Sequence, residues 1–383
     1  MHINRERIVG IALSLWIVAI IAWWGAIIFV INMLDQPAHQ IDFVVYWAAG
    51  RLALEGDAMA VWDAARFNAA QGFDPNADAI LGWFYPATFH LLVTPLGLLP
   101  FSVAYGVWIA LSIGVFWRAM QHVAPVAFPL VIISPAIFLA VKLGSNALLF
   151  AACLAFALTH LSQPSRSGAA IAVLTLKPGL GPIVAIALIS GRRWEVIFWI
   201  ILFAASFAAI STSIFGWAHW IAFLNGLEAA VARITPEDNL TTQMISWYAL
   251  ARFHGLAPET AMVLHACILC GIGAMTALMW FQTKTDPSLS AAGLAIAVAL
   301  SSPHAFHYEM VYALVAVAFL LRRPTTLGDK LVALLLWIGP LPAIWPFEIV
   351  PMCAYGAPLL TLCFGYISAK ALLQRRRLGQ VEV

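Results

Sequence analysis

The sequence predicts an all-α membrane protein, a polytopic bundle of about 12 transmembrane helices. Hydrophobic residues make up 63% of the chain and charged residues only 10%, and the mean hydropathy is +0.90, outside the range of soluble globular domains. Apolar runs of roughly 17 to 25 residues, the length that crosses about 30 Å of hydrocarbon, recur along the chain. These runs are continuous rather than alternating, which argues against a transmembrane β-barrel.

The predicted spans follow the apolar runs in order. They are residues 8–32, 84–100, 102–120, 125–142, 145–161, 168–190, 195–215, 260–281, 288–302, 309–321, 330–346 and 350–372. Several are short or contain proline, so one or two can be re-entrant. Because neither a tandem repeat nor a low-complexity segment divides the chain, we treat residues 1–383 as a single domain.

The basic residues predict the orientation, since short cytoplasmic loops collect Lys and Arg. With these spans, most Lys and Arg residues fall on the side of both termini, while Arg118 and Arg166 are among the few on the other side. We therefore expect a multi-pass protein of the cell membrane with cytoplasmic termini. The two long connections, about 33–83 and 216–259, are then extracytoplasmic, and their aromatic-rich amphipathic stretches predict helices along the membrane interface.

The net charge and the cysteine spacing favour neither a nucleic-acid partner nor a metal site. A formal net charge of +2 gives no indication of a nucleic-acid partner. Cys267 and Cys270 have CxxC spacing inside a predicted span, with no histidine or second pair close by in the sequence, which favours a structural role over a metal site. We expect neither a metal ion nor a cofactor.

Asp42 is the first candidate catalytic residue, because it follows the first predicted span and is surrounded by apolar residues. On a helix beginning there, Tyr46 shares its face at i+4, whereas Arg51 lies well round the side. A carboxylate at this boundary can act on a substrate. The alternative is an acid that only stabilises a helix start.

Lys177 lies within the predicted span 168–190, in the segment TLKPGLGP. A cation at this depth is costly unless it faces a cavity or a negative partner. Pro178, Gly179 and Pro182 should interrupt the helix, which is tolerated where the backbone lines a cavity. We interpret Lys177 as a functional cation, with an interhelical ion pair as the alternative.

The segment SSPHAFHYEM brings His304, His307, Tyr308 and Glu309 to a span junction on the predicted side of Asp42. Imidazoles can donate hydrogen bonds to a phosphate or bind a metal. Two histidines at this spacing, without a carboxylate between them, are a weak metal signal. Polar residues that only decorate the interface are an equally good explanation.

Five segments together carry a resemblance to a known family. They are DFVVYWAAGRLALEGDAMAVWD, FYPATFHLLVTPLGLLP, GSNALLFAACLAFAL, LTLKPGLGPIVAIALISGRRW and SSPHAFHYEMVYAL. In order and spacing the chain resembles glycosyltransferase family 87 from Asp42 to about Leu321. These are polyprenyl-phosphate-sugar-dependent transferases of the GT-C membrane fold, typified by mycobacterial α-1,2-mannosyltransferases.

The resemblance implies a catalytic aspartate in the first extracytoplasmic loop, here Asp42. The family's tyrosine-proline element corresponds to Tyr85-Pro86, although Ala87 stands where a second proline is usual, and its lysine-proline element corresponds to Lys177-Pro178. The late junction corresponds to His304 through Glu309, where members often have an aspartate near the position of Glu309. The implied reaction is inverting transfer of a hexose, with mannose expected, from a polyprenyl-phosphate sugar to a glycan or glycolipid acceptor.

The chemistry of such a reaction assigns roles to these residues. Phosphate is a good leaving group, so a single carboxylate base can suffice, unlike in glycoside hydrolysis. The expected phosphate ligands are Lys177, His304, His307 and Arg51, and the expected substrate contacts are Tyr46, Tyr85 and Glu309. The partners would be the lipid-linked donor, the acceptor and membrane lipids. Competing hypotheses are a transporter or lipid flippase, and a non-catalytic membrane scaffold.

Overall fold

The computed structural model describes residues 42–75, 81–125, 131, 133–232, 239–281, 286–343 and 351–381. The predicted span 8–32 lies outside these residues. The described part of the chain is helical, with no β-strand and one isolated bridge between Met244 and Phe306.

The α-helices are numbered in chain order. They are α1 (Asp42–Leu54), α2 (Ala64–Ala70), α3 (Ala87–Val93), α4 (Phe101–Val123), α5 (Pro135–Leu143), α6 (Ala147–Thr159), α7 (Pro164–Leu174), α8 (Gly181–Ser190), α9 (Trp194–Phe215), α10 (Ala218–Ala232), α11 (Asn239–Thr242), α12 (Trp247–Phe253), α13 (Pro258–Phe281), α14 (Pro287–Ala299), α15 (Val311–Leu321), α16 (Leu327–Ile338) and α17 (Met352–Val381). Short 3₁₀ helices occupy Ala58–Trp62, Thr94–Leu98, Pro178–Leu180, His307–Met310 and Leu341–Ala343.

Four described helices are long and apolar enough to cross a membrane. They are α4, α9, α13 and the segment Met352–Gln374 of α17. Only 6% of the most apolar part of α9 is buried within the protein, so this helix lies at the periphery of the described residues. The all-helical architecture is thus confirmed for the described residues, with four helices that could span a membrane, and the count of twelve spans stays a prediction.

The predicted span 84–100 is a short helix followed by a 3₁₀ turn. Pro95 lacks the N–H that would continue α3, and the apolar stretch Ala87–Leu98 is only about 18 Å long at 1.5 Å per residue. It packs closely on α1 through two glycines. A Cβ on Gly50 would lie 2.5 Å from the Val93 carbonyl oxygen, and one on Gly97 would lie 2.5 Å from the Arg51 backbone nitrogen.

The predicted span 168–190 is interrupted at Lys177, as its prolines and glycines suggested. Helix α7 ends at Leu174, Pro178–Leu180 forms a 3₁₀ turn, and α8 begins at Gly181. The Ser301 hydroxyl donates to the Gly179 carbonyl oxygen at 3.0 Å. The break therefore packs against the segment that follows α14.

Helix α1 differs from the interfacial amphipathic helix expected of this segment. Nine of its thirteen residues are buried. The Phe43 ring lies 5.5 Å from that of Phe101 and 5.3 Å from that of Tyr105, and the Trp47 indole donates to the Leu99 carbonyl at 2.9 Å. Apolar side chains surround the helix axis, so α1 is part of the core rather than a surface element.

These contacts also establish which helix ends lie together. Because Phe101 packs on Phe43, α4 begins at the end of the bundle that holds Asp42. Its 23 residues extend about 35 Å and carry Arg118 away from Asp42. Helix α6 runs parallel to α4, since Trp108 donates to the Gly144 carbonyl just before α6 and the rings of His122 and His160 at the far ends lie 6.2 Å apart. Helix α7, which contains Arg166, begins at that far end. The expected placement of Arg118 and Arg166 on the side of Asp42 is therefore wrong. That placement assumed that the chain crosses the membrane once at residues 84–100, and these residues do not run the length of the bundle.

Candidate active site

Asp42 is the first residue of α1, and its carboxylate lies in a cluster of polar groups. It accepts a hydrogen bond from the Tyr308 hydroxyl and is close to Lys177 and Glu309. Burial raises the pKa of Asp42 from 3.8 to about 6; the hydrogen bond from Tyr308 and the charge of Lys177 oppose this shift, and Glu309 adds to it. Asp42 thus begins a helix, as the alternative interpretation required, and its carboxylate also lies close to other functional groups.

Lys177 forms an ion pair with Glu309. The side chain of Glu309 is 2% exposed and that of Lys177 is 18% exposed. The second carboxylate oxygen of Glu309, Oε2, has no hydrogen-bond partner among the described residues. The interhelical ion pair, which was the alternative interpretation of Lys177, is therefore present, and its partner is a residue that we had assigned to substrate.

Tyr46 and Tyr85 form a second part of the same cluster. Their hydroxyl oxygens lie 3.1 Å apart, and the Asn146 amide donates to the Tyr85 hydroxyl at 2.9 Å. The Tyr85 ring stacks on that of Phe89, with centroids 4.1 Å apart. The spacing from Asp42 to Tyr46 thus predicted a true neighbour. Asn146 is absent from the residues predicted for the site, although an amide directly before the apolar run of α6 was a usable signal.

The second long connection holds the late junction in place. The backbone N–H of Ile245 donates to the Ala305 carbonyl at 2.7 Å, and that of His307 donates to the Gln243 carbonyl at 2.8 Å. The Ser246 hydroxyl donates to the Pro303 carbonyl. This bracing fixes the 3₁₀ turn that carries Tyr308 and Glu309. Tyr308 has no predicted role of its own in the sequence.

His304 and His307 make their described contacts outside the acidic part of the cluster. The His304 ring packs edge-on against Tyr248 at 5.3 Å, and burial, together with nearby His265, lowers the pKa of His304 to about 4. His304 is therefore neutral at pH 7. The Nδ1 atom of His307 lies 3.2 Å from the Gln243 carbonyl oxygen. Within the described part of the chain we find no contact of either imidazole with Asp42 or Lys177, so their role as phosphate ligands stays a prediction.

Arg51 lies at the other end of α1. It follows Asp42 by nine positions, about 13 Å along a helix. Its guanidinium is 3.4 Å from Glu55 in an exposed pair and 5.1 Å from the Trp47 ring. The structure does not bring Arg51 to the cluster, and its assignment to the donor also stays a prediction.

The charges of the cluster limit what it can do. With both carboxyl groups ionised, Asp42 and Glu309 outweigh Lys177 by one negative charge. Such a site can take a proton from a hydroxyl group through Asp42 and can orient polyols through Tyr46, Tyr85 and Tyr308. It can offer one ammonium group to an anionic ligand, provided that Lys177 shares its three N–H donors with Glu309.

Comparison with known proteins gives one match. The sequence model of glycosyltransferase family 87 matches residues 83–303, more than half of the 383 residues. The matched part contains Tyr85, Asn146 and Lys177, whereas Asp42 and Glu309 lie outside it. No curated protein and no solved structure matches the chain. The match confirms the resemblance seen in the motifs: the chain belongs to glycosyltransferase family 87 and is a membrane glycosyltransferase.

Proposed function

We propose that this glycosyltransferase transfers a hexose, with mannose expected, from a polyprenyl-phosphate sugar to a hydroxyl of a glycan or glycolipid, with Asp42 as the general base. The observation that supports this most directly is the convergence of Asp42, Tyr308 and Lys177 in a chain of this family. A scaffold has no need of such a cluster. A carboxylate pointing into plain acyl chains would have contradicted the proposal.

The proposed step is a single displacement. Asp42 takes the proton of the acceptor hydroxyl while that oxygen attacks the anomeric carbon of the donor sugar. The bond between the anomeric carbon and the phosphate oxygen breaks, and its electron pair leaves with the polyprenyl phosphate. Attack from the face opposite the leaving group inverts the anomeric configuration. A pKa of about 6 suits this role, since Asp42 is mostly ionised at pH 7 yet more basic than an exposed aspartate.

Lys177 is the proposed cation for the donor phosphate. One of its N–H donors is engaged by Glu309, and the others can meet the negative charge that grows on the leaving group. The unpartnered Oε2 of Glu309 is a suitable acceptor for a sugar hydroxyl. Glu309 would thus hold Lys177 in place and also contact the sugar.

The arrangement of helix ends supports an extracytoplasmic site. If Asp42 faces outward, the basic residues at the opposite end of the bundle face the cytoplasm, as the positive-inside rule requires. They are Arg118, Arg166, Arg192, Arg193, Arg322 and Arg323. In this arrangement residues 87–98 stay on the outer side, while α7 leads from the end that holds Arg166 to Lys177 in the cluster and α8 leads back to Arg192. Compared with the predicted spans, one crossing is lost at 84–100 and one is gained within 168–190. The number of crossings therefore stays even, and both termini remain cytoplasmic.

The test is a direct assay of transfer. Purified full-length protein would be incubated with a panel of polyprenyl-phosphate sugars and membrane lipid extract, and products would be identified by mass spectrometry. We expect a glycosylated acceptor and free polyprenyl phosphate with at least one donor. Solute or lipid movement in proteoliposomes, without sugar transfer from any donor, would instead support a transporter or flippase.

A further inference from the structure

A groove lies between α4, α6 and α7, at the helix ends far from Asp42. It encloses 540 Å³. Its polar lining consists of Arg118, His122, His160 and Arg166, and its apolar wall includes Ala152 and Phe156. We propose that this groove binds the phosphate headgroup of an anionic phospholipid in the membrane leaflet opposite the active site.

The charge of the groove is uncompensated. Its described lining contains no carboxylate. Arg118 lies 3.1 Å from Nδ1 of His122, and Arg166 donates to the Gln163 side-chain oxygen at 2.7 Å, so neither guanidinium group is paired with a carboxylate among the described residues. Two exposed arginines, without an acid between them, attract a phosphate, which accepts hydrogen bonds from guanidinium groups in bidentate fashion.

The surroundings of the groove favour a lipid over a soluble anion. Leu111 is 60% exposed and Val115 is 43% exposed on the same helix as Arg118, and Val115 also lines the groove. Trp117, which is 41% exposed, stands next to Arg118, as aromatic residues do at the level of lipid headgroups. A phospholipid can therefore place its acyl chains on the apolar helix surface while its phosphate meets the arginines.

The groove is separate from the catalytic cluster. Helix α6 extends from Asn146, which contacts Tyr85, to His160 at the groove, a distance of about 20 Å along the helix. The inference therefore does not depend on the proposed donor, acceptor or base.

Lipid binding can be measured by native mass spectrometry of the full chain released from detergent. The protein would be titrated with phosphatidylglycerol or with phosphatidylcholine of identical acyl chains. We expect preferential binding of phosphatidylglycerol. The double variant Arg118→Gln/Arg166→Gln should bind it at least about tenfold more weakly, because two charge contacts are lost.

Two further variants make the test specific. Arg192→Gln/Arg193→Gln removes the same charge from the same end of the bundle and should retain binding. Arg118→Lys/Arg166→Lys keeps both positive charges and should retain most of the phosphatidylglycerol binding. This result would show that substitution at these two positions does not itself unfold the protein. Equal binding of both lipids, or equal losses in the two glutamine variants, would overturn the proposal. So would binding of inorganic phosphate as tight as that of phosphatidylglycerol, because that result indicates a soluble anion site.

Discussion

The Tyr308 hydroxyl donates a hydrogen bond to the carboxylate of Asp42, and it thereby joins the first residue of α1 to the 3₁₀ turn before α15. Both residues lie outside the part of the chain matched by the family. The matched part supplies Lys177 and Tyr85. The proposed base and its hydrogen-bond donor come from the segments on either side, so the cluster forms only when these flanks pack against each other.

Asp42→Asn should abolish sugar transfer. Asparagine has nearly the same shape but cannot take the acceptor proton, and loss of a general base costs about 10²- to 10⁴-fold in rate. The rate of product formation is the measurement, with gel filtration to show that the protein remains folded. Glu55→Gln is the matched control, since it removes an exposed carboxylate directly after the last residue of the same helix. Full activity of Asp42→Asn would exclude Asp42 as the base.

The rate of transfer should fall as the pH is lowered through about 6, because Asp42 becomes protonated and can no longer accept a proton. Tyr308→Phe removes a hydrogen bond that stabilises the charged form, so it should move this midpoint to higher pH. A pH profile of kcat/KM for both proteins measures the shift. A midpoint unchanged by Tyr308→Phe would show that the hydroxyl does not influence the base.

Substitutions of Lys177 and Glu309 should distinguish a structural role of this ion pair from a role in donor binding. Either Lys177→Met or Glu309→Gln leaves one buried charge unpaired and should lower the free energy of unfolding by about 3–5 kcal/mol. The double variant should recover much of this loss. The measurement is unfolding of the purified protein in detergent.

The same double variant also tests donor binding. If Lys177 contacts the phosphate, the double variant should be folded and should bind the polyprenyl-phosphate sugar weakly. Donor affinity equal to that of the unmodified protein would assign Lys177 a purely structural role.

The contact between α1 and residues 94–98 should not tolerate a single added methyl group. Gly97→Ala places a Cβ 2.5 Å from the Arg51 backbone nitrogen, and backbone on both sides cannot easily move. We expect a loss of about 1–3 kcal/mol of stability, as for other overpacked sites. Gly106→Ala is the control, because its Cβ would have no neighbour within 4 Å and alanine favours a helix. Similar effects of the two substitutions would contradict the close approach.

Two buried histidines connect α1 to the more distant helices. Trp62 donates to Nδ1 of His219 at 3.0 Å, the rings of His219 and His90 share a hydrogen bond of 2.7 Å, and His90 lies 3.1 Å from the Ala49 carbonyl oxygen. The indole donor fixes each neutral tautomer in turn, so that His219 donates to His90 and His90 donates to Ala49.

His219→Phe would leave the Trp62 indole N–H and the Nδ1 atom of His90 without hydrogen-bond partners and should cost about 1–3 kcal/mol. Thermal unfolding in detergent is the measurement. His254→Phe, at an exposed position, should have little effect. An equal loss of stability in the two variants would show that the hydrogen-bonded chain contributes nothing specific.

Apolar runs predicted the helices well, because helices satisfy their own backbone hydrogen bonds and composition alone identifies them in a membrane protein. The same runs could not show that residues 84–100 stop short of a span, since the effect of Pro95 depends on the packing of Gly50 against Gly97. The burial of α1 was missed for a related reason. Its polar residues at the two ends suggested an interfacial helix, while the contacts that surround it come from distant parts of the chain.

The candidate site was predicted where short-range spacing sufficed. Tyr46 follows Asp42 by one helical turn and lies in the cluster. Lys177 was identified by the cost of a cation in an apolar span. Asn146 and Tyr308 reach the cluster through long-range packing that spacing does not encode. His304 and Glu309 are close in sequence but lie in a segment without helical or strand periodicity. Their sequence spacing therefore could not predict that His304 packs on Tyr248 while Glu309 pairs with Lys177.

Helix α6 runs between the hydrogen bond to Tyr85 and the basic groove. A regular helix is stiff along its axis, so a sliding movement started at His160 arrives at Asn146 with nearly the same amplitude. The 2.9 Å bond from Asn146 to Tyr85 would not survive a slide of much more than an ångström. If the groove binds a lipid as proposed, this rod connects the bound headgroup to the hydrogen bonds that align Tyr85 with Tyr46.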